Sequence, residues 1–118
     1  AEPQQRIMVV EDDNDAADIT VLLLESLGAK AVKANSAKQC QALLSTEKNW
    51  SKILLDLHLP DANGLALART IQHGYPDVEL ILVSGATVAE QSLKQAGITQ
   101  AILKPVNRDI LQNLITKL

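Results

Sequence analysis

Phenylalanine is missing from this chain of 118 residues, and one tryptophan and one tyrosine make up its whole aromatic content. A core built from it must therefore be aliphatic, and a hydrophobic share of 47% supplies enough surface for one. The length fits a single domain. Cysteine occurs once, at Cys40, which excludes an internal disulfide and suits a reducing compartment, the cytoplasm. Cys40 itself reads as a small buried apolar residue on a helix. No basic run occurs and the net charge is −3. Nucleic-acid surfaces draw their affinity from clustered Lys and Arg, so direct nucleic-acid binding is not expected. Apolar runs are short, far below the roughly 20 residues that cross a bilayer, and no signal peptide is evident. The polar opening Ala1-Glu2-Pro3-Gln4-Gln5 reads as a linker or an expression remnant, which leaves residues 6–118 as the domain.

What is present is a fivefold alternation of strand and helix signals. Continuous apolar runs at 6–10, 53–56 and 78–83 have the pattern of strands buried on both faces. Residues 29–34, with Lys30 and Lys33, suit an exposed edge strand, and 100–103 gives a fifth. Asn14 is a candidate N-cap for a helix ending near Leu27, with Ile19, Leu22, Leu23 and Leu27 on its inward face. Ser36-x-x-Gln39 has the form of a capping box ahead of Cys40, Leu43 and Leu44. Leu59-Pro60-Asp61-Ala62-Asn63-Gly64 is turn chemistry, followed by a helix to about His73 that faces Leu65, Ala68 and Ile71 inward. A second capping box, Thr87-x-x-Glu90, opens a helix that Gly97 closes. The last helix starts near Asn107 and buries Ile110, Leu111, Leu114, Ile115 and Leu118. This alternation predicts right-handed crossovers and a three-layer α/β/α sandwich.

Four of the apolar runs end on residues suited to phosphate chemistry. Val9-Val10 runs into Glu11-Asp12-Asp13, Leu54-Leu55 into Asp56, Leu82-Val83 into Ser84, and Ile102-Leu103 into Lys104-Pro105. In an open parallel sheet these ends lie along one edge, where ligands bind at the reversal of strand order. Glu11, Asp12 and Asp56 form an all-oxygen donor set for a hard cation such as Mg2+. Asp12 and Asp13 also suit the helix N-terminus that follows, and for Asp13 that role is preferred. Asp56 is costly at the end of a buried strand unless it has a partner or a task, and its carboxylate is a possible nucleophile toward phosphorus. Lys104 can neutralise a phosphoryl oxygen or simply pair with Asp56, and the two roles are compatible. Ser84 can donate a hydrogen bond to a phosphoryl oxygen, although Ser-Gly is also ordinary turn chemistry. Pro105 invites a cis peptide bond after Lys104. With only His58 and His73 available, a zinc site is not expected. His58 reads as a loop residue whose carbonyl can reach the ion.

Val9-Val10-Glu11-Asp12, Asp56-Leu57-His58-Leu59-Pro60-Asp61 with Gly64, Val83-Ser84-Gly85-Ala86 and Lys104-Pro105 together resemble the receiver domain of two-component response regulators and hybrid histidine kinases, from about Arg6 to Leu118. The resemblance implies a flavodoxin-like fold with a five-stranded parallel sheet of order 2-1-3-4-5. It implies that Asp56 accepts a phosphoryl group from a histidine kinase or phosphotransfer domain, and that Glu11, Asp12, Asp56 and the His58 carbonyl hold Mg2+. Ser84 and Lys104 would hold the phosphoryl oxygens. His58 and Ala86 would flank the path of the water that removes the group. One position departs from the pattern. Receiver domains usually carry Tyr or Phe three residues before the lysine, as part of the switch with Ser84. Here that position is Ala101, which has no rotamer to report a switch.

Two other classes compete. A pseudo-receiver would keep the fold as a binding scaffold without being phosphorylated; Ala101 points that way, while Glu11, Asp12, Asp56 and Lys104 point against it. A phosphatase with an Asp nucleophile would typically place a second acid where His58 stands, and would need a cap that this chain has no room for. The expected activity is therefore self-phosphotransfer and autodephosphorylation, with no separate substrate turned over.

Overall fold

Strands that are apolar at successive positions need cover on both faces, and the computed structural model, which describes residues 4–116, provides it. Strands β1 (Arg6–Val10), β2 (Lys30–Ala34), β3 (Lys52–Asp56), β4 (Glu79–Ser84) and β5 (Ile98–Leu103) alternate with helices α1 (Asn14–Ser26), α2 (Ala37–Thr46), α3 (Gly64–Gly74), α4 (Glu90–Gln95) and α5 (Arg108–Thr116). The sheet has the order β2-β1-β3-β4-β5 and all its pairs are parallel. The flavodoxin-like α/β sandwich expected from the sequence is thus the observed fold.

Because side chains alternate across a strand, neighbouring residues feed two separate cores. Met8, Val10, Ile53, Leu55, Leu80 and Leu82 pack with Cys40 and Leu44 of α2 and with Leu67, Ala68 and Ile71 of α3. Ile7, Val9, Leu54, Ile81 and Val83 pack on the other side with Leu24 of α1 and with Leu111 and Leu114 of α5. Trp50, buried just ahead of β3, stacks under the Arg6 guanidinium at 4.5 Å from its ring centroid. Both lie at the end of the sheet opposite Asp56.

Burial pushes the Cys40 thiol up to about 12, so near neutrality the reactive thiolate is scarcely populated. The folded protein should resist an aromatic disulfide reagent at about pH 8 and react once urea unfolds it, as followed by absorbance. Prompt reaction of the folded form would place Cys40 outside the core.

Several local expectations are corrected. The α1 cap is Asp13, not Asn14: the Asp13 side chain accepts from the amides of Asp15 and Ala16. The inward face of α1 is Ala17, Thr20 and Leu24, with Leu23 and Leu27 half-buried. Ile19 and Leu22, expected inside, are 56% and 69% exposed. Small residues let α1 lie close to the sheet, and Thr20 is tolerated there because its hydroxyl donates to the Ala16 carbonyl at 2.9 Å. The α2 box forms in part. Ser36 Oγ accepts from the Gln39 amide at 3.1 Å, but the Gln39 side chain reaches back to Asn35 rather than to Ser36. The Thr87 box does not form. Helix α4 begins at Glu90 behind Ala89, which has no side-chain oxygen to offer, and no side chain caps it. On α3, Leu67 joins the buried face and Leu65 is only half-buried. Leu118 lies outside the described residues.

Candidate functional site

The strand order reverses between β1 and β3, and their carboxyl ends flank that switch point. Glu11 directly follows β1, and its amide is tied to the Ala34 carbonyl of β2 at 2.9 Å. Asp56 is the last residue of β3, paired with Val83 of β4. Lys104 follows β5, with its amide bonded to the Ser84 carbonyl at 2.8 Å. Each functional side chain is therefore fixed by a ladder that ends just beneath it.

These side chains meet. Carboxylate oxygens from Glu11, Asp12 and Asp56 lie within 4.8 Å of one another. Lys104 Nζ stands 2.8 Å from Glu11 Oε1 and 3.3 Å from Asp56 Oδ1. The Glu11 and Asp56 side chains are 9% and 10% exposed, and Lys104 is 35% exposed. Two carboxylates this buried require a counter-charge, and Lys104 provides it. Burial alone would lower the Lys104 pKa. The hydrogen bond to Glu11 and the charge of Asp56 outweigh that effect, so the ammonium is held above its ordinary value. The Lys104–Pro105 peptide is cis. A crevice of about 270 Å³ opens from these groups between α1 and the β5–α5 connection, with Ala16, Ile19, Val83 and Val106 among its mostly apolar walls.

The remaining expected residues are not among those that line the crevice. Ser84 is buried, and its hydroxyl donates to the Ala86 carbonyl at 2.7 Å while accepting from the Ala86 amide at 3.1 Å. His58 is exposed and bridged to Asn63. Ala101 is exposed on β5, opposite Leu82.

Between β3 and α3 the loop is closely tied. The Gly64 amide donates to the Leu57 carbonyl at 2.7 Å, and Leu59 to Ala62 at 3.1 Å. Asn63 caps α3 through the Leu65 amide. The sequence marks Asp61 as a turn residue and as part of the receiver-like motif, but assigns it no contact. In the fold its carboxylate crosses to α2 and accepts from the amides of Ala37 at 2.8 Å and Lys38 at 3.0 Å. Those bonds, the Ala37 one first, hold the Asp61 carboxyl below its ordinary range. The charge is fully present above about pH 4, and the stability it contributes is lost as pH falls through the lowered value.

A family model described as the response regulator receiver domain matches residues 7–116. The chain belongs to that family, the signalling domains of two-component systems. Among known proteins it is 33% identical over 113 residues to the sensor protein TorS of Escherichia coli, covering 93% of this chain and 12% of that one. It is 34% identical over 113 residues to the transcriptional regulatory protein CitT of Bacillus subtilis, covering 92% and 50%. The chain thus spans half or less of these relatives' length. A CheY-like receiver domain from Methanospirillum hungatei superposes with a TM-score of 0.88 at 31% identity, covering 98% of this chain and 94% of that one. Among the described residues no helix is long and apolar enough to cross a membrane.

Proposed function

We propose that Asp56 is the phosphoacceptor of this receiver domain and that it takes its phosphoryl group from a phosphohistidine on a histidine kinase or phosphotransfer domain. The observation that carries this reading is the meeting of Asp56, Glu11, Asp12 and Lys104, drawn from the ends of three strands, at one pocket.

An Asp56 carboxylate oxygen attacks phosphorus and forms the new O–P bond. The N–P bond to the donor imidazole breaks, and its electron pair stays on the ring nitrogen, which takes up a proton. Such a transfer needs little beyond alignment and charge neutralisation. The donor set fits Mg2+: three carboxylate oxygens are hard ligands close enough to share one small ion, and the His58 carbonyl is the further ligand proposed. Bound there, Mg2+ would neutralise charge on the phosphoryl oxygens. Lys104, already between Glu11 and Asp56, turns its ammonium to a phosphoryl oxygen. Ser84 gives up its bond to the Ala86 carbonyl and donates to another. Hydrolysis later returns Asp56 to the carboxylate as water attacks phosphorus along a path flanked by His58 and Ala86. No separate substrate is turned over, in keeping with a signalling module. The unpaired Cys40 is in keeping with a cytoplasmic setting.

Incubation with Mg2+ and a small phosphodonor should give an acid-stable, base-labile adduct on Asp56, detected by mass spectrometry. Asp56→Asn should abolish it. Labelling of that variant at an undiminished rate would refute the assignment and favour a scaffold that is not phosphorylated at Asp56.

A further inference from the structure

We infer that Asp61 is a positioning residue that sets the affinity of the Mg2+ pocket from outside it, by clamping the β3–α3 loop to the β2–α2 turn. The inference rests on the Mg2+ reading above and extends it to a residue that cannot touch the ion through the hydrogen bonds it makes.

The turn between Ala34 and Ala37 grips two segments at once. On one side the Ala34 carbonyl holds the Glu11 amide at 2.9 Å, which fixes the chain that carries Glu11 and Asp12. On the other, the amides of Ala37 and Lys38 hold the Asp61 carboxylate at 2.8 and 3.0 Å. Asp61 lies three residues beyond His58, inside a loop closed by the His58–Asn63 bridge and the Leu59–Ala62 hydrogen bond. Fixing Asp61 therefore fixes the backbone that carries the His58 carbonyl relative to Glu11 and Asp12. Metal ligands held in place bind without paying to order themselves, and groups one step behind the ligands change affinity when removed.

Capping alone does not explain the arrangement. Ser36 already serves the Gln39 amide of α2 from within the local chain. Asp61 reaches the same helix from 24 residues away, so its loss frees a loop as well as a helix end. Ser36→Ala removes the bond to the Gln39 amide and leaves the Asp61 bonds to Ala37 and Lys38 in place, which separates the two roles.

The experiment follows the amide signals of Leu57, His58 and Gly64 during Mg2+ titration, with urea unfolding of each variant in parallel. Asp61→Ala and Asp61→Asn should each weaken Mg2+ binding about tenfold, the lower end of effects seen behind metal ligands. Ser36→Ala should lower the urea midpoint yet leave the Mg2+ affinity unchanged. If the alanine variant does not fold, the asparagine variant, which keeps the shape, carries the test. Wild-type affinity in the Asp61 variants, or an equal loss in Ser36→Ala, would overturn the clamp. Failure of the unaltered protein to bind Mg2+ would instead bring down the metal site itself, and the clamp with it.

Discussion

Replacing Lys104 with alanine should tighten Mg2+ binding about tenfold while slowing phosphorylation of Asp56 about a hundredfold or more, an opposition of sign that few substitutions produce. Lys104 Nζ sits 2.8 Å from Glu11 and 3.3 Å from Asp56. It is the counter-ion that a divalent cation must compete with, and it repels that cation. Two unit charges about 4 Å apart interact by roughly 4 kcal/mol at the effective dielectric of a protein surface, and a divalent ion doubles that. Because the Lys104 side chain is 35% exposed, solvent screening cuts that figure. A net effect of about 1.4 kcal/mol is a factor of ten in affinity. The transfer step moves the other way. Removing one preorganised donor to developing negative charge typically costs about a hundred- to a thousandfold in rate. Calorimetric Mg2+ titration and timed mass spectrometry of the adduct read the two effects separately. The variant should also lose about 2 kcal/mol of stability without Mg2+, since Glu11 and Asp56 would keep their burial and lose their partner, and regain part of it with the ion present. A fall in Mg2+ affinity would mean that Lys104 props the carboxylates apart rather than competing for them.

Gly64→Ala should cost about 3 kcal/mol, the upper range of overpacking penalties, although alanine is the better helix former. Gly64 opens α3 against the backbone that leaves β3. A Cβ there would overlap the Asp56 carbonyl oxygen and stand 2.9 Å from the Leu57 Cα. Both obstacles are main chain and cannot swing aside like a side-chain tip. Relief requires either α3 or the end of β3 to shift, and β3 is locked between β1 and β4. Urea unfolding should show a lowered midpoint with an unchanged slope. The amide signals of Leu57 and His58 should move even in the folded variant. A neutral effect on stability would show that α3 can slide away from the strand freely.

The sequence was most legible where charge met burial. Asp56 stands out because a carboxylate after Ile53-Leu54-Leu55 is expensive without a purpose, and Lys104 stands out as the opposite charge that ends the last apolar run at the same sheet edge. Strand order and pocket followed from the receiver-like motifs at those ends. On α1 the apolar spacing points to Ile19, Leu22, Leu23 and Leu27, a face that the packing on the sheet uses only in part. Close packing on a sheet favours Ala17, and Thr20 supplies its own hydrogen bond, so Ile19 and Leu22 were left outside. Thr87 and Glu90 had the spacing of a cap, but spacing does not reveal where the chain after Ser84 straightens into a helix. The Asp61 contact was invisible for a different reason: its partners are amides, present at nearly every residue, and only the tertiary fold selects two of them.

Helix α4 has six residues, no side-chain cap and no buried member. The loop before it is held at Ser84 by two hydrogen bonds within one turn. Two such bonds are worth about 1–3 kcal/mol net, which is the hold that a pull on Ser84 would have to overcome. A latch this light would let go in a small fraction of resting molecules. The signal would then rise from a low background rather than from silence, and a modest pull on Ser84 would suffice to invert the populations.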